Sequence, residues 1–358
     1  MKITVIENKK TKHIRSANYN YNFNKETGFF ARWGATKEDD PQWAPGPEIL
    51  DIEISAGKCM AGCRFCYKSN NGSLPVKNMT LAQFKNILNK MPNTLTQVAF
   101  GITDINTNTD FFPMMDYCRE KGIVPNFTCN GWQVTKEVAE KVAATCGAVA
   151  VSVYNKDASY GAIKSFADAG MKQINIHFML SEETYDRAFE IVSDAASDER
   201  LKGLNAIVFL AYKPKGPHPD SYHTVKDVAK YQALTTHCEE KGVSYGMDSC
   251  SAGMYIKSIQ DRPDKQKLSL FVESCESSMF SGYINVEGKY YHCSFSEGEG
   301  LWKDGLDVLA CTDFMKEVWE HPLTVKFRKL SVKSADKNPY KDCGDCRSCL
   351  VFPSINPW

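Results

Sequence analysis

The chain has 358 residues, 24% of them charged, and its 43 Lys and Arg balance its 43 Asp and Glu. That length supports one large domain or two unequal ones, and zero net charge excludes the global basic field that draws in long nucleic acid. No run approaches the roughly eighteen apolar residues of a membrane-spanning helix, and the N-terminus has no apolar signal core. The 14 cysteines fall largely at metal-ligand spacing, so they point to a reducing, cytoplasmic setting rather than to a disulfide framework.

Residues 1–47 are aromatic-rich, NYNYNFNKETGFFARWG followed by acidic KEDD and the Pro/Gly run PQWAPGP. The first part alternates as short strands or a hairpin would, and the second is a linker or covering loop. The segment is expected either to pack on an open sheet edge or to serve as a lid. At this length it is short for an appended peptide-recognition domain.

From Glu48 strands and helices alternate. Strand-like apolar runs bounded by turn residues occur at Ile49–Ile54, Gln97–Gly101, Val124–Thr128, Ala148–Val153, Gln173–Met179 and Ala206–Tyr212. Helical patterns lie between them at Leu81–Lys90, Phe112–Lys121, Lys136–Thr145, Ala158–Ala169 and Glu182–Ala196, and Val225–Glu240 follows the last strand. Thr80 and Ser181 are N-cap candidates, while Gly122 and Gly170 supply the left-handed residue that ends a helix. Six such units predict a parallel α/β sheet with helices covering one side, because parallel crossovers need a helix-sized connection. Sites in such sheets form at the carboxyl ends of the strands.

The first strand opens into a loop with Cys59, Cys63 and Cys66, and Phe65 precedes the last thiol. Thiolates suit zinc, copper(I) or iron–sulfur centres. A structural zinc is ordinarily closed by four protein ligands, and no Cys or His lies between Cys66 and Cys118 to act as the fourth. An iron–sulfur cluster held by three thiolates would keep one iron open to a small molecule.

Other strand ends contribute polar residues: Thr103 and Asp104 after Gly101, Thr128 and Asn130 on the third strand, Ser152 and Asn155 on the fourth. Each could equally be a cap or an Asx turn. His177 alternates with apolar neighbours near the end of the fifth strand, and Tyr212 and Lys213 end the sixth. Lys213 could meet an anionic substrate group or could equally be a solvated lysine. Cys118, Cys129, Cys146 and Cys238 stand singly in apolar segments and read as buried structural thiols.

After about residue 243 the alternation stops. VSYGMDSC suggests one more strand leading to Cys250, and Cys275 and Cys293 flank a hairpin that turns at Glu287-Gly288. Cys343, Cys346 and Cys349 follow near the C-terminus, and Cys311 has no partner by spacing. The paired thiols could hold a structural zinc or an iron–sulfur cluster.

The C-x3-C-x-aromatic-C loop resembles the signature of the radical S-adenosylmethionine (radical SAM) superfamily. That resemblance implies a partial (β/α)6 TIM-like barrel over residues 48–245, with residues 1–47 as an N-terminal cover. Cys59, Cys63 and Cys66 would hold a 4Fe-4S cluster whose open iron chelates S-adenosylmethionine, and Phe65, Gly101, Thr103, Asp104, Thr128, Asn130 and Ser152 would contact that cofactor. The family's Gly-Gly-Glu-like sequence after the second strand is reduced here to Gly101, Thr103 and Asp104. Residues 246–358 resemble the SPASM or Twitch extension, a small cysteine-rich β-hairpin and helix domain. It would hold one auxiliary 4Fe-4S cluster through Cys275, Cys293 and two of Cys343, Cys346 and Cys349, with Cys250 a further contender. The activity implied is reductive cleavage of S-adenosylmethionine to a 5′-deoxyadenosyl radical and hydrogen abstraction from a peptide or small molecule, oxidative in outcome, with flavodoxin or ferredoxin as electron donor. Modification of a nucleotide or nucleic-acid base, and a non-catalytic iron–sulfur or zinc protein, are the competing readings.

Overall fold

The computed structural model describes residues 3–341 and 346–358. Four short strands come first, β1 (Thr4–Glu7), β2 (Thr11–Arg15), β3 (Asn20–Asn24) and β4 (Phe30–Trp33), and they form an antiparallel meander in chain order. The expected short strands are present and pack at the amino ends of the parallel strands. Tyr19, Tyr21 and Phe23 of this sheet pack with Val124, Met279 and Phe280. The Lys12 ammonium donates to the Leu95 carbonyl at 2.9 Å, and Arg32 pairs with Glu48 at 2.8 Å and Glu276 at 2.9 Å. Leu95, Glu48 and Val124 lie at the amino ends of the parallel strands, so the meander closes the sheet at the end opposite the cysteine loop.

The central sheet is built from β5 (Ile49–Glu53), β8 (Gln97–Gly101), β9 (Val124–Cys129), β10 (Val149–Ser152), β11 (Ile174–Leu180), β12 (Ala206–Ala211) and β13 (Tyr245–Met247). The two-residue strands β6 (Ser55–Ala56) and β7 (Lys77–Asn78) pair at the rim. All seven central strands are parallel and adjacent in chain order. The connecting helices are α1 (Leu81–Asn89), α2 (Phe111–Glu120), α3 (Lys136–Thr145), α4 (Lys156–Asp168), α5 (Tyr185–Ser197) and α6 (Val228–Lys241). Their boundaries depart from the sequence pattern by a few residues. At α5, the pattern began at Glu182, but residues 182–184 form a separate 3-10 turn.

Local signals explain these elements. Thr80 caps α1 in a reciprocal box with Gln83, and Phe84, Ile87 and Leu88 give the helix one buried face. Burial of each such side chain contributes about 1.5–3 kcal/mol. Ser181 accepts from the Thr184 amide, and Gly122 and Gly170 have positive φ at helix ends. Asn155 proves to be the N-cap of α4, its side chain accepting from the Ala158 amide at 3.0 Å.

Beyond β13 come α7 (Ala252–Ser258) and α8 (Lys265–Leu268), then β14 (Ser281–Ile284), β15 (Lys289–Tyr291), β16 (Leu306–Asp307) and α9 (Pro322–Ser334). The expected hairpin is β14–β15, with Gly288 at φ +80° in its turn. Its placement was not legible in the sequence: β14 pairs in parallel with β5, so the hairpin continues the central sheet beside the strand that carries the cysteine loop. Among the described residues no helix is long and apolar enough to cross a membrane.

Candidate functional site: two thiol groups around one cavity

A strand buried on both faces should read as a continuous apolar run. In β5, Leu50 and Ile52 are fully buried, whereas Asp51 and Glu53 project from the opposite face into a cavity of about 660 Å³. Each of the parallel strands β5, β8, β9, β10, β11 and β12 contributes to that cavity, including Gly101, Thr128, Ser152, His177 and Leu210. The sheet is therefore concave, and the cavity opens at the carboxyl ends of its strands.

Cys59, Cys63, Cys66 and Phe65 line this cavity. Their loop is shaped by local hydrogen bonds. The Cys59 amide donates to the Asn70 carbonyl at 3.0 Å, the Gly57 amide to Asn70 Oδ1 at 2.7 Å, and the Cys66 amide to the Cys63 carbonyl at 3.1 Å. Gly57 sits at φ +101°, where a Cβ would lie 2.3 Å from the Pro75 carbonyl oxygen, so a side chain is excluded there. Phe65 packs against Tyr154 and Tyr222 at centroid distances of 5.6 and 5.3 Å.

Of the strand-end residues expected at the cofactor, Gly101, Thr103, Thr128, Asn130 and Ser152 line the cavity with the thiols. Asp104 lies behind its wall. Its carboxylate accepts from the Met60 amide at 3.0 and 3.1 Å and from Asn130 Nδ2 at 2.6 Å, and Asn130 Nδ2 also reaches Cys59 Sγ at 3.3 Å. Asp104 thus ties the cysteine loop to β9. Thr103 is held by Ser55, whose Oγ accepts from its amide at 2.9 Å. The His177 ring meets Thr128 Oγ1 at 3.3 Å, and burial pushes its pKa down to about 4, so it is neutral at physiological pH.

Burial pushes the Cys63 thiol up to about 12, with the neighbouring Cys66 and Cys59 adding to the effect, and burial raises Cys59 as well. Three adjoining free thiols on one short loop offer the soft donors that an iron–sulfur centre takes as thiolates. The donor set therefore fits an iron–sulfur cluster.

A second cavity of about 650 Å³ lies behind the first and gathers Cys250, Cys275, Cys293 and Cys349. Burial raises Cys250 well above the ordinary thiol range, raises Cys293 to about 11 and also raises Cys349. Cys275 adds electrostatically to all three shifts. Cys346 is 4% exposed and packs in the hydrophobic core, outside this group, and Cys343 lies outside the described residues. Four free thiols around one space again match the donor set of a cluster. Among the described residues no three Cys, His, Asp or Glu side chains converge as tightly as a single metal ion requires.

Lys213 does not stand free at the mouth. It is 6% exposed, its ammonium lies 3.0 Å from Asp248 Oδ2 and 3.0 Å from the Ala211 carbonyl, and it sits over the Phe295 ring at 4.4 Å. Asp51, Lys213, Asp248, Ser294 and Phe295 line both cavities and form the wall between the two thiol groups. The sequence reading passed over Asp51, Glu53 and Asp248. Its available signal was the acidic alternation within β5.

The central parallel α/β sheet, with three free thiols on the loop that follows β5, is consistent with the radical SAM fold. No protein-family model matches the chain, and no curated protein matches it. Solved structures share its fold at low identity. Streptococcus suis SuiB bound to the precursor peptide SuiA aligns at a TM-score of 0.70 and 12% identity, over 98% of this chain and 94% of that one. SuiB bound to S-adenosylmethionine aligns at 0.65 and 15%, over 86% and 74% of the two chains. Native anSMEcpe with bound AdoMet and the Cp18Cys peptide aligns at 0.61 and 16%, over 85% and 90%.

Proposed function

We propose that the chain is a radical SAM enzyme acting on a peptide or small molecule with an oxidative outcome. The observation that carries this reading is the placement of three free thiols at the rim of a strand-end cavity, in a fold shared with structures that hold S-adenosylmethionine and peptides. In this reading the concave sheet is a partial (β/α)6 barrel over residues 48–245, residues 1–47 close its amino end, and residues 246–358 form a SPASM/Twitch-like extension.

Cys59, Cys63 and Cys66 would hold a 4Fe-4S cluster, and Cys250, Cys275, Cys293 and Cys349 an auxiliary one. Bound there, the cluster and S-adenosylmethionine supply one-electron cleavage to a hydrogen-abstracting 5′-deoxyadenosyl radical. The protein's own part is positional. Asp104 and Asn130 hold the cysteine loop, Gly101, Thr103, Thr128 and Ser152 offer cofactor contacts, and Phe65 with Tyr154 and Tyr222 screens one side from water. A low-potential donor such as flavodoxin or ferredoxin would deliver electrons, and the free thiols suit the cytoplasm.

The test is anaerobic reconstitution with iron and sulfide counting, then assay of 5′-deoxyadenosine release under dithionite. About eight irons per chain are expected, falling to about four when Cys59, Cys63 and Cys66 are replaced by Ala. An intact wild-type cluster that never cleaves S-adenosylmethionine, with candidate substrates present, would overturn the proposal.

A further inference from the structure

Five charged side chains line the cavity beside the three-cysteine loop: Asp51, Glu53, Lys68, Lys213 and Asp248. Lys68 pairs with Glu53 at 3.1 Å, and Lys213 pairs with Asp248 at 3.0 Å. Asp51 is left over. Among the described residues no hydrogen bond or ion pair reaches its carboxylate, which is open to water inside the cavity.

Its setting is shaped like a receptacle. Asp51 lies two residues before Glu53 on β5, which places it about 7 Å deeper from the strand ends. Its register partner on β8 is Ala99, and Ala148 and Ala150 line the same cavity, so small side chains leave room on that side of the carboxylate, while its partner on β14, Tyr283, bounds the other. The group is wetted by the cavity yet surrounded by protein, and desolvation raises its pKa to about 6, still ionised at neutral pH. Asp51 also belongs to the wall facing the second thiol group. Inside a cavity walled by protein its charge is screened less than at the outer surface, so a cation drawn into the cavity would be attracted to it.

We propose that Asp51 is the anchor for a cationic group of the substrate, a primary ammonium or a guanidinium on a flexible chain, which enters from the cysteine rim and pairs with this carboxylate. This rests on the reading of the cavity as the substrate chamber, and it narrows the substrate class to cationic ones. A cation held there would suspend the rest of the molecule between the two thiol groups.

The test is calorimetric titration of the reconstituted full-length protein, saturated with S-adenosylmethionine, using n-pentylammonium and n-pentanol as matched probes. The ammonium is expected to bind at least about tenfold more tightly than the alcohol, as a charge-assisted hydrogen bond to an otherwise unpaired carboxylate should produce. Asp51→Asn should erase that preference while the affinity for S-adenosylmethionine stays within about twofold. Equal affinity of the two probes for the wild-type protein overturns the inference without any variant. Persistence of the preference in Asp51→Asn, or an equal loss of S-adenosylmethionine binding, overturns it too, the latter by assigning Asp51 to the cofactor. A wild-type protein that prefers the ammonium but never releases 5′-deoxyadenosine would refute the radical chemistry and leave the cation site standing.

Discussion

Asp104 separates two roles that a strand-end carboxylate can play, cofactor ligand or loop anchor. In the structure it accepts from the Met60 amide and from Asn130, which in turn reaches Cys59. Hydrogen bonds to a charged acceptor each contribute about 1.5–3 kcal/mol, and Asp104→Ala would leave the Met60 N–H without its partner. At about 1.4 kcal/mol per tenfold, the protection of the Met60 amide against hydrogen exchange should fall about 10- to 150-fold, with iron retention reduced. Protection of α4, which does not contact this carboxylate, should hardly change. Exchange followed by mass spectrometry on the reconstituted protein, paired with iron analysis, reads both. If the loop stays protected and iron is retained while S-adenosylmethionine affinity collapses, Asp104 is a cofactor ligand and the anchoring argument is refuted.

Three further outcomes are expected. His177 is neutral when folded because burial lowers its pKa to about 4, whereas an unfolded histidine titrates near 6.5. The unfolded chain therefore binds the extra proton first, and acidification from pH 6.5 toward 4 should cost up to about 3 kcal/mol of stability that His177→Gln does not lose; coincident pH profiles of their urea midpoints would contradict this. Cys349→Ser should reduce iron from about eight to about four per chain while Cys346→Ser leaves it unchanged, as read by iron analysis and the cluster's electron paramagnetic resonance signal. Gly216 has φ +108°, and a Cβ there would lie 2.5 Å from the Cys66 carbonyl oxygen. Gly216→Ala should lower stability by about 1–3 kcal/mol and loosen the cysteine loop, and an unchanged Tm would count against that contact.

Much of the strand and helix order was legible, because each unit carries its own short-range evidence: an apolar run, a cap such as Thr80 or Ser181, a left-handed glycine such as Gly122 or Gly170. The cysteine loop was equally legible, since Cys59, Cys63 and Cys66 are neighbours in the chain. Reading failed where one residue type serves two ends. Lys213 at a strand end looked like a candidate for an anionic substrate, yet Asp248, 35 residues later, holds it in a buried pair. For Asn155 the sequence left a site role and a cap equally open, and the structure makes it the N-cap of α4.

By itself the sequence determined the alternating α/β architecture and the local chemistry of the first thiol loop, because hydrophobic period, capping and ligand spacing act over a few residues. Tertiary structure alone decided that β14 docks on β5, that the aromatic meander closes the amino end, and that Cys250 joins Cys275, Cys293 and Cys349 while Cys346 stays in the core. Those choices depend on contacts between segments far apart in the chain, such as Ile52 with Ile284, whose pairing no local pattern encodes. The same long-range packing gave Lys68 and Lys213 their acidic partners and left Asp51, two residues before Glu53, with none among the described residues.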